Sequence, residues 1–198
     1  DSAYTVSAGE GDDVILQDYD ARHIGYTPAD EDSADFIDAG AGNDLIETGY
    51  VNSNSVASLD TVLGGAGDDT IIATDSVLIT GGEGNDLIVL DTVYVEDLTF
   101  GATDAWSLVD DSHEPLTVTD FTVGEDRLEL FASEHTWGID VTSITLTEVD
   151  GNTVITASWE HDPDSLTSGS ATDVTVAVLQ GVTGVTVEDI FGENPVAA

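Results

Sequence analysis

Ala8-Gly9-Glu10-Gly11-Asp12-Asp13-Val14-Ile15, Ala39-Gly40-Ala41-Gly42-Asn43-Asp44-Leu45-Ile46, Gly64-Gly65-Ala66-Gly67-Asp68-Asp69-Thr70-Ile71 and Gly81-Gly82-Glu83-Gly84-Asn85-Asp86-Leu87-Ile88 are four copies of one pattern. In each, glycine holds the second and fourth places, Asp or Asn the fifth, Asp the sixth and Ile the eighth. A single Gly-x-Gly-x-Asp turn arises easily in an acidic chain, but four within 81 residues are an internal repeat. The flanks repeat as well. Val6, Ile37, Val62 and Ile79 stand two residues before the loops, and Ile15, Ile46, Ile71 and Ile88 occupy the eighth places. All eight are β-branched, which suits short strands on a buried, pleated surface. The unit reads strand, Gly/Asp loop, strand, with one inward anchor on each side of the loop. Stacked units would form two facing parallel ladders filled by these anchors.

Successive loops begin 31, 25 and 17 residues apart. The shortest interval is about one bare rung of a two-sided roll, closed on its far edge by a tight Thr74-Asp75 turn. The excess in the other two is expected on that far edge, as insertions at residues 17–33 and 49–58.

The 198 residues carry 41 Asp and Glu against two basic residues, Arg22 and Arg127, for a formal net charge of −39. A compact body so charged repels itself and calls for bound cations or high salt. Nucleic acid is excluded as a partner, because phosphate contacts need many Lys and Arg, and an anionic membrane surface is disfavoured for the same reason. A hydrophobic content of 40% is enough to build a core. There is no cysteine, so neither disulfides nor thiolate metal sites hold the fold. No apolar run approaches the 18 or so residues of a membrane span. The start, Asp1-Ser2-Ala3-Tyr4, lacks an initiator Met and the features of a signal peptide, so the chain is expected to be a fragment or processed product.

The four loops resemble the RTX nonapeptide Gly-Gly-x-Gly-x-Asp-x-U-x, with Ala8 and Ala39 in place of the first glycine. The resemblance implies a calcium-binding β-roll. It also implies a ligand set: Asp13, Asp44, Asp69 and Asp86, then Asp12, Asn43, Asp68 and Asn85, with loop carbonyls from residues 8–11, 39–42, 64–67 and 81–84. Elementary geometry agrees. Parallel rungs lie about 4.8 Å apart, and Ca²⁺ takes six to eight oxygens at roughly 2.3–2.6 Å, so one ion fits midway between two stacked loops. Mg²⁺ wants a tighter octahedron at about 2.0–2.1 Å, and zinc prefers His or Cys, which the loops lack. Four stacked loops enclose three gaps, so at least three ions are expected.

After Leu90 the composition turns Thr/Val-rich. Residues 116–121, 127–131, 143–148, 153–159 and 172–179 alternate as half-buried strands, with Asp150-Gly151-Asn152 as a hairpin turn. The expected architecture is all-β: a parallel β-roll over residues 1–95 with its two insertions, and an antiparallel sheet or small sandwich over residues 96–198 capping its open end. Asp120-Phe121-x-x-Gly124-x-Asp126-Arg127-Leu128 is similar to the segment that follows the repeats in RTX proteins and serralysin-type proteases. Residues 178–191, from Val178-Leu179-Gln180-Gly181 to Glu188-Asp189-Ile190-Phe191, look like the uncleaved C-terminal signal of type I secretion, though a last strand with a frayed tail is the plainer reading. The resemblance implies a secreted, extracellular protein whose partners are calcium and a type I secretion apparatus. The apparatus would pass the chain unfolded through the calcium-poor cytosol, leaving folding to calcium outside.

Catalytic signatures are missing from the sequence. His23, His113, His135 and His161 are scattered without a His-Glu-x-x-His zinc motif, and no Gly-x-Ser-x-Gly elbow or phosphate loop occurs. Asp162-Pro163 reads as a loop turn, and Trp106, Trp137 and Trp159 read as core rather than as a carbohydrate platform. The chain is therefore expected not to be an enzyme. The alternatives are a small extracellular adhesin or surface protein that binds a partner through the two insertions, or the tail of a secreted hydrolase or epimerase. Without cations the stacked carboxylates face one another uncompensated, so excess chelator should open the repeat segment. Circular dichroism checks this: β-signal should fall in chelator and return with calcium, and an unchanged spectrum would refute coupled folding.

Overall fold

Each Gly/Asp loop lies between two short strands, as the β-branched flanks predict. The computed structural model describes residues 4–16, 34–48, 59–73, 77–90, 115–130, 139–161 and 170–192. Loop one joins β1 (Thr5–Glu10) to β2 (Val14–Leu16), and loop two joins β3 (Phe36–Ala41) to β4 (Leu45–Glu47). Loop three joins β5 (Asp60–Ala66) to β6 (Thr70–Ala73), and loop four joins β7 (Val77–Glu83) to β8 (Leu87–Leu90). The strands before the loops pair in parallel, β1 to β3 to β5 to β7, and those after them pair likewise, β2 to β4 to β6 to β8. Register aligns the anchors as the spacing demands. Val6, Ile37, Val62 and Ile79 stack in one ladder, and Ile15, Ile46, Ile71 and Ile88 in the other. This is the parallel β-roll. Both insertions and the Thr74-Asp75 turn lie outside the described residues, as do His23, His113, His135, Trp106, Trp137 and Asp162-Pro163.

The roll is longer than four rungs. β9 (Leu116–Val118) pairs in parallel with β7, placing Val118 beside Ile79. β10 (Arg127–Leu130) pairs in parallel with β8, placing Leu128 beside Ile88. These two strands were expected in an antiparallel sheet; they instead form a fifth rung. The physical reason is that Val118 and Leu128 extend the two anchor ladders, and both are fully buried there.

Beyond β9 the first ladder continues into β13 (Ser170–Leu179), which is parallel to β9, and then into antiparallel β12 (Asn152–His161) and β11 (Ile139–Val149). One eight-stranded sheet thus spans roll and C-terminal meander. The expected hairpin at Asp150-Gly151 is present. Positive φ at both residues (51° and 83°) gives the twist that matches the flanking strands. A bulge bends β13 where Asp173 (φ 56°) donates its N–H to Ser158 Oγ at 3.0 Å. Trp159 is fully buried, in the core as expected.

Residues 180–192 do not fray after the last strand. Thr186 caps a short helix, α1 (Val187–Phe191), through a reciprocal capping box with Asp189. Ile190 and Phe191 are buried, and the helix packs on β10. Roll anchors, meander and helix share one hydrophobic cluster. Toward the first rung the core thins: Val6 is 37% and Val14 65% exposed, whereas Ile71 is 0%. Removing the Ile71 side chain in Ile71→Ala should therefore destabilise the calcium-loaded protein by about 3 kcal/mol. Val14→Ala should cost less than about 0.5 kcal/mol. Chemical denaturation of both variants in excess calcium checks the contrast.

Candidate metal centre

The loops turn tightly because the glycines at their second and fourth places adopt left-handed backbone angles. Gly40, Gly42, Gly65, Gly67, Gly82 and Gly84 have φ between 108° and 142°. A Cβ at Gly40, Gly65 or Gly82 would fall on the carbonyl oxygen of Gly9, Gly40 or Gly65 in the preceding loop, and one at Gly42, Gly67 or Gly84 on that of Gly11, Gly42 or Gly67. Loops one, two and three therefore each project two carbonyls along the roll axis toward the next rung. The first place is different. Neither Gly64 nor Gly81 has positive φ, so Ala39 occupies the same place without backbone strain and is fully buried.

The sixth-place aspartates form a staircase. Asp13 N–H donates to Asp44 Oδ1 at 2.8 Å and Asp44 N–H to Asp69 Oδ1 at 2.8 Å. Asp69 N–H then donates to Asp86 Oδ1 at 3.0 Å. Asp44, Asp69 and Asp86 are each no more than 2% exposed. The second oxygen of each carboxylate is different: Oδ2 of Asp13, Asp44, Asp69 and Asp86 is buried and has no hydrogen-bond partner. Such a column of unsatisfied anionic oxygens is costly in the protein interior.

The fifth places form a second ladder of opposite sense. Asn43 N–H donates back to Asp12 Oδ1 at 2.9 Å, Asp68 N–H to Asn43 Oδ1 at 3.0 Å, and Asn85 N–H to Asp68 Oδ1 at 2.8 Å. These four side chains are exposed. Asp and Asn alternate along the ladder, so no two carboxylates in it are neighbours. The two ladders differ electrostatically. The Asn85 backbone and side-chain donors hold the Asp68 carboxyl below its ordinary value. Burial, followed by the charges of Asp44 and Asp68, pushes Asp69 up despite the Asp44 N–H. Burial pushes Asp86 to about 6, with Asp126, Asp69 and Asp120 adding to the rise against the Asp69 N–H.

Calcium suits this donor set. Among the described residues no three carboxylate or imidazole side chains converge on one point. An ion between loops must therefore take carbonyls as well, and oxygen-only coordination mixing carboxylate and carbonyl is calcium chemistry. The orphaned Oδ2 atoms and the axial carbonyls of the loop glycines are the groups that would hold it.

Two acidic residues extend the staircase past the repeats: Asp126 Oδ1 accepts from Asp86 N–H at 3.1 Å, and Asp120 accepts from Gly81 and Gly82. Their signal was present, since Gly124-Glu125-Asp126-Arg127-Leu128 repeats the second half of the motif. On the opposite edge Tyr4 N–H donates to Asp35 Oδ1 and Asp35 N–H to Asp60 Oδ1, both at 2.8 Å. Asp35-Phe36-Ile37 and Asp60-Thr61-Val62 carry the same Asp-x-anchor spacing as the loops, a cue that points to this shorter staircase.

The raised Asp86 fixes the sign of a pH effect. Unfolded, this carboxyl releases its proton near 3.8; in the metal-free roll it holds the proton to about 6. Between those values the folded form binds more protons, so metal-free stability should fall as pH rises from about 4 to about 6. Saturating calcium should reverse the trend, because protons then compete with the ion. Thermal melts at pH 4.5 and pH 7, in chelator and in calcium, check both signs.

A family model described as the RTX calcium-binding nonapeptide repeat (4 copies) matches residues 30–49 and 64–92. The match takes in loops two, three and four, and strand register adds loop one to the same stack. No curated protein and no solved structure matches the chain. With a repeat matched in sequence, stacked in register and lined by orphaned carboxylate oxygens, loops two, three and four of the roll are RTX calcium-binding nonapeptide repeats.

Proposed function

We propose that this chain is a non-catalytic module that folds when calcium binds outside the cell and is exported by a type I apparatus through a signal at its C-terminus. The observation that carries the calcium-coupled part is the column of buried, unpartnered Oδ2 atoms on Asp13, Asp44, Asp69 and Asp86. Hydrogen bonds set the register of the loops but leave this charge uncompensated, so the stack is incomplete without cations. The ligands are these four aspartates and loop carbonyls, with Asp12, Asn43, Asp68 and Asn85 closing the outer side, and at least three ions occupy the gaps. Residues 1–95 supply the ion-dependent rungs of the roll, and residues 96–198 its fifth rung, cap and export signal. A net charge of −39 opposes folding where calcium is scarce, which favours passage of an open chain. Export rests on the family resemblance of residues 178–191, and deleting the last dozen residues should abolish secretion.

Isothermal calorimetry with calcium tests the central claim. Binding should be accompanied by the large enthalpy and negative heat-capacity change of coupled folding, with three or more ions per chain. Asp69→Asn keeps an oxygen to accept the Asp44 N–H but removes the buried charge. It should weaken calcium binding about tenfold or more. Wild-type affinity in this variant would remove the sixth-place aspartates from the ligand set.

A further inference from the structure

Acidic side chains crowd the loop edge of the roll, but the outer face of the eight-stranded sheet carries almost none. Register aligns one outward residue from each of its eight strands in a single row. The row runs from Thr5 and Phe36 on the first rungs, through Leu78 and Thr117, to Val154 and Thr147 on the meander. None of its residues is charged. Beside it on the roll, a second row passes from Ser7 through Asp38 and Leu63 to Thr80, whose hydroxyl meets that of Thr119 at 2.8 Å. On the meander, Thr145, Thr156 and Thr175 form a third. Asp38 is the only acid in the three rows, in a chain with 41. All of these side chains are exposed or half-buried, whereas their inward neighbours Val62, Ile79, Val118 and Ile155 are 0% exposed. The other sheet differs. Its outer rows hold Glu47, Arg127 and Glu129, and Val89 among them is already buried.

The neutral face is large enough to matter. Eight strands at about 4.8 Å spacing make the long row about 34 Å across, and neighbouring rows give the face an area on the order of 600 Å². That is the lower end of specific interfaces, which bury about 600 Å² or more on each partner. Two such sheets pack about 10 Å apart with their strands within about 30° of each other. Charge decides what can cover it. A cationic partner would be drawn to the acidic loop edges instead. A second polyanion, repelled wherever acids line the surface, meets the least resistance here. Phe36 is the one aromatic ring in the three rows, so the face offers no platform of stacked rings to another neutral ligand.

We propose that the outer face of the eight-stranded sheet receives a second copy of this chain, sheet on sheet, in a two-fold dimer. Asp38 selects the axis. A two-fold across the strands would lay each strand over its own copy and stack Asp38 on Asp38. A two-fold along the strands, between β7 and β9, reverses the strand order: β7 lies over β9 of the other copy, and β3 over β12. Each Asp38 then faces the uncharged stretch of β12 from Asn152 to Ser158. The two Asp38 side chains lie about 24 Å apart in that arrangement, well beyond the Debye length of about 8 Å at physiological salt. The dimer requires the folded roll but not the identity of its ions, so it stands apart from the calcium reading.

Sedimentation velocity of the full chain in excess calcium tests it. A reversible dimer should form as protein rises to about 200 µM, the weak affinity expected of so small an interface. Added salt should strengthen it, because screening relieves the repulsion between acidic edges and the facing rows hold no ion pairs to weaken. Leu78→Glu places a carboxylate at the centre of the face and should raise the dimer dissociation constant about tenfold or more. Thr117→Glu, on the neighbouring strand of the same row, should do the same. Leu16→Glu, at a position 60% exposed on the other sheet, should leave the dimer unchanged. Circular dichroism in calcium should show all three variants folded, since each substituted side chain points away from the core. A chain that stays monomeric in high salt, a dimer that survives both central substitutions, or one lost in Leu16→Glu overturns the proposal. A monomer held on an uncharged polysaccharide matrix and released by Leu78→Glu gives the face to another occupant and overturns it too. Failure of the calcium reading would appear differently, as a spectrum indifferent to chelator with the dimer intact.

Discussion

Like charges stacked one rung apart are the constraint around which this molecule is organised. Parallel strand pairing brings successive loops to about 4.8 Å, and the sixth-place aspartates follow the strands into that spacing. Asp44, Asp69 and Asp86 each offer one oxygen to a backbone N–H of the rung before, which locks the register. The other oxygen is left buried and unmatched. The structure therefore stores electrostatic demand in a regular column, of the kind that a hard divalent cation with oxygen ligands can answer.

The hydrophobic ladders do the complementary job. Val62, Ile79, Ile46, Ile71 and Ile88 are fully buried, and each anchor lies directly against its counterpart in the next rung. They make stacking favourable in all rungs but cannot by themselves prevent carboxylate repulsion at the loop edge. The division of labour within each loop is similarly sharp. The exposed fifth-place ladder satisfies its own acceptors and separates Asp12 from Asp68 by an intervening Asn43. The buried sixth-place ladder has an Asp in every rung. Two adjacent residues in one loop thus differ sharply, one bonded and exposed, the other buried with one oxygen unmatched.

A solenoid needs its end closed, and here closure is continuous with the roll. The sheet that begins at β1 runs through β9 into β13, β12 and β11 without a break. The helix Val187–Phe191 packs on β10, with Ile190 and Phe191 buried. The C-terminal segment is thereby tied to the last rung of the roll by both backbone pairing and core packing. The first rung is the opposite case, with an exposed β1.

The sequence by itself determined the repeat, its loops, its anchors and the chemistry of its ligand. These depend on local rules: glycine where φ must be positive, β-branched residues where strands are buried, and aspartate where a hard cation needs oxygen. Each rule was visible four times at one spacing, and register later aligned Val6 with Ile37, Val62 and Ile79 as that spacing required. The meander hairpin was legible for the same reason, because Asp150-Gly151 announces its turn locally. Only the tertiary structure decided that residues 116–130 are a fifth rung. One extra residue in their loop disrupts the first half of the glycine pattern, and alternating strands look alike whether their partner is parallel or antiparallel. It also decided which aspartates are orphaned and which are satisfied. Asp126 and Asp86 occupy the same place in the repeat, yet Thr122 N–H reaches one carboxylate and nothing reaches the second oxygen of the other. Burial and partnership depend on what distant chain segments bring alongside, and a list of residues in order does not carry that information.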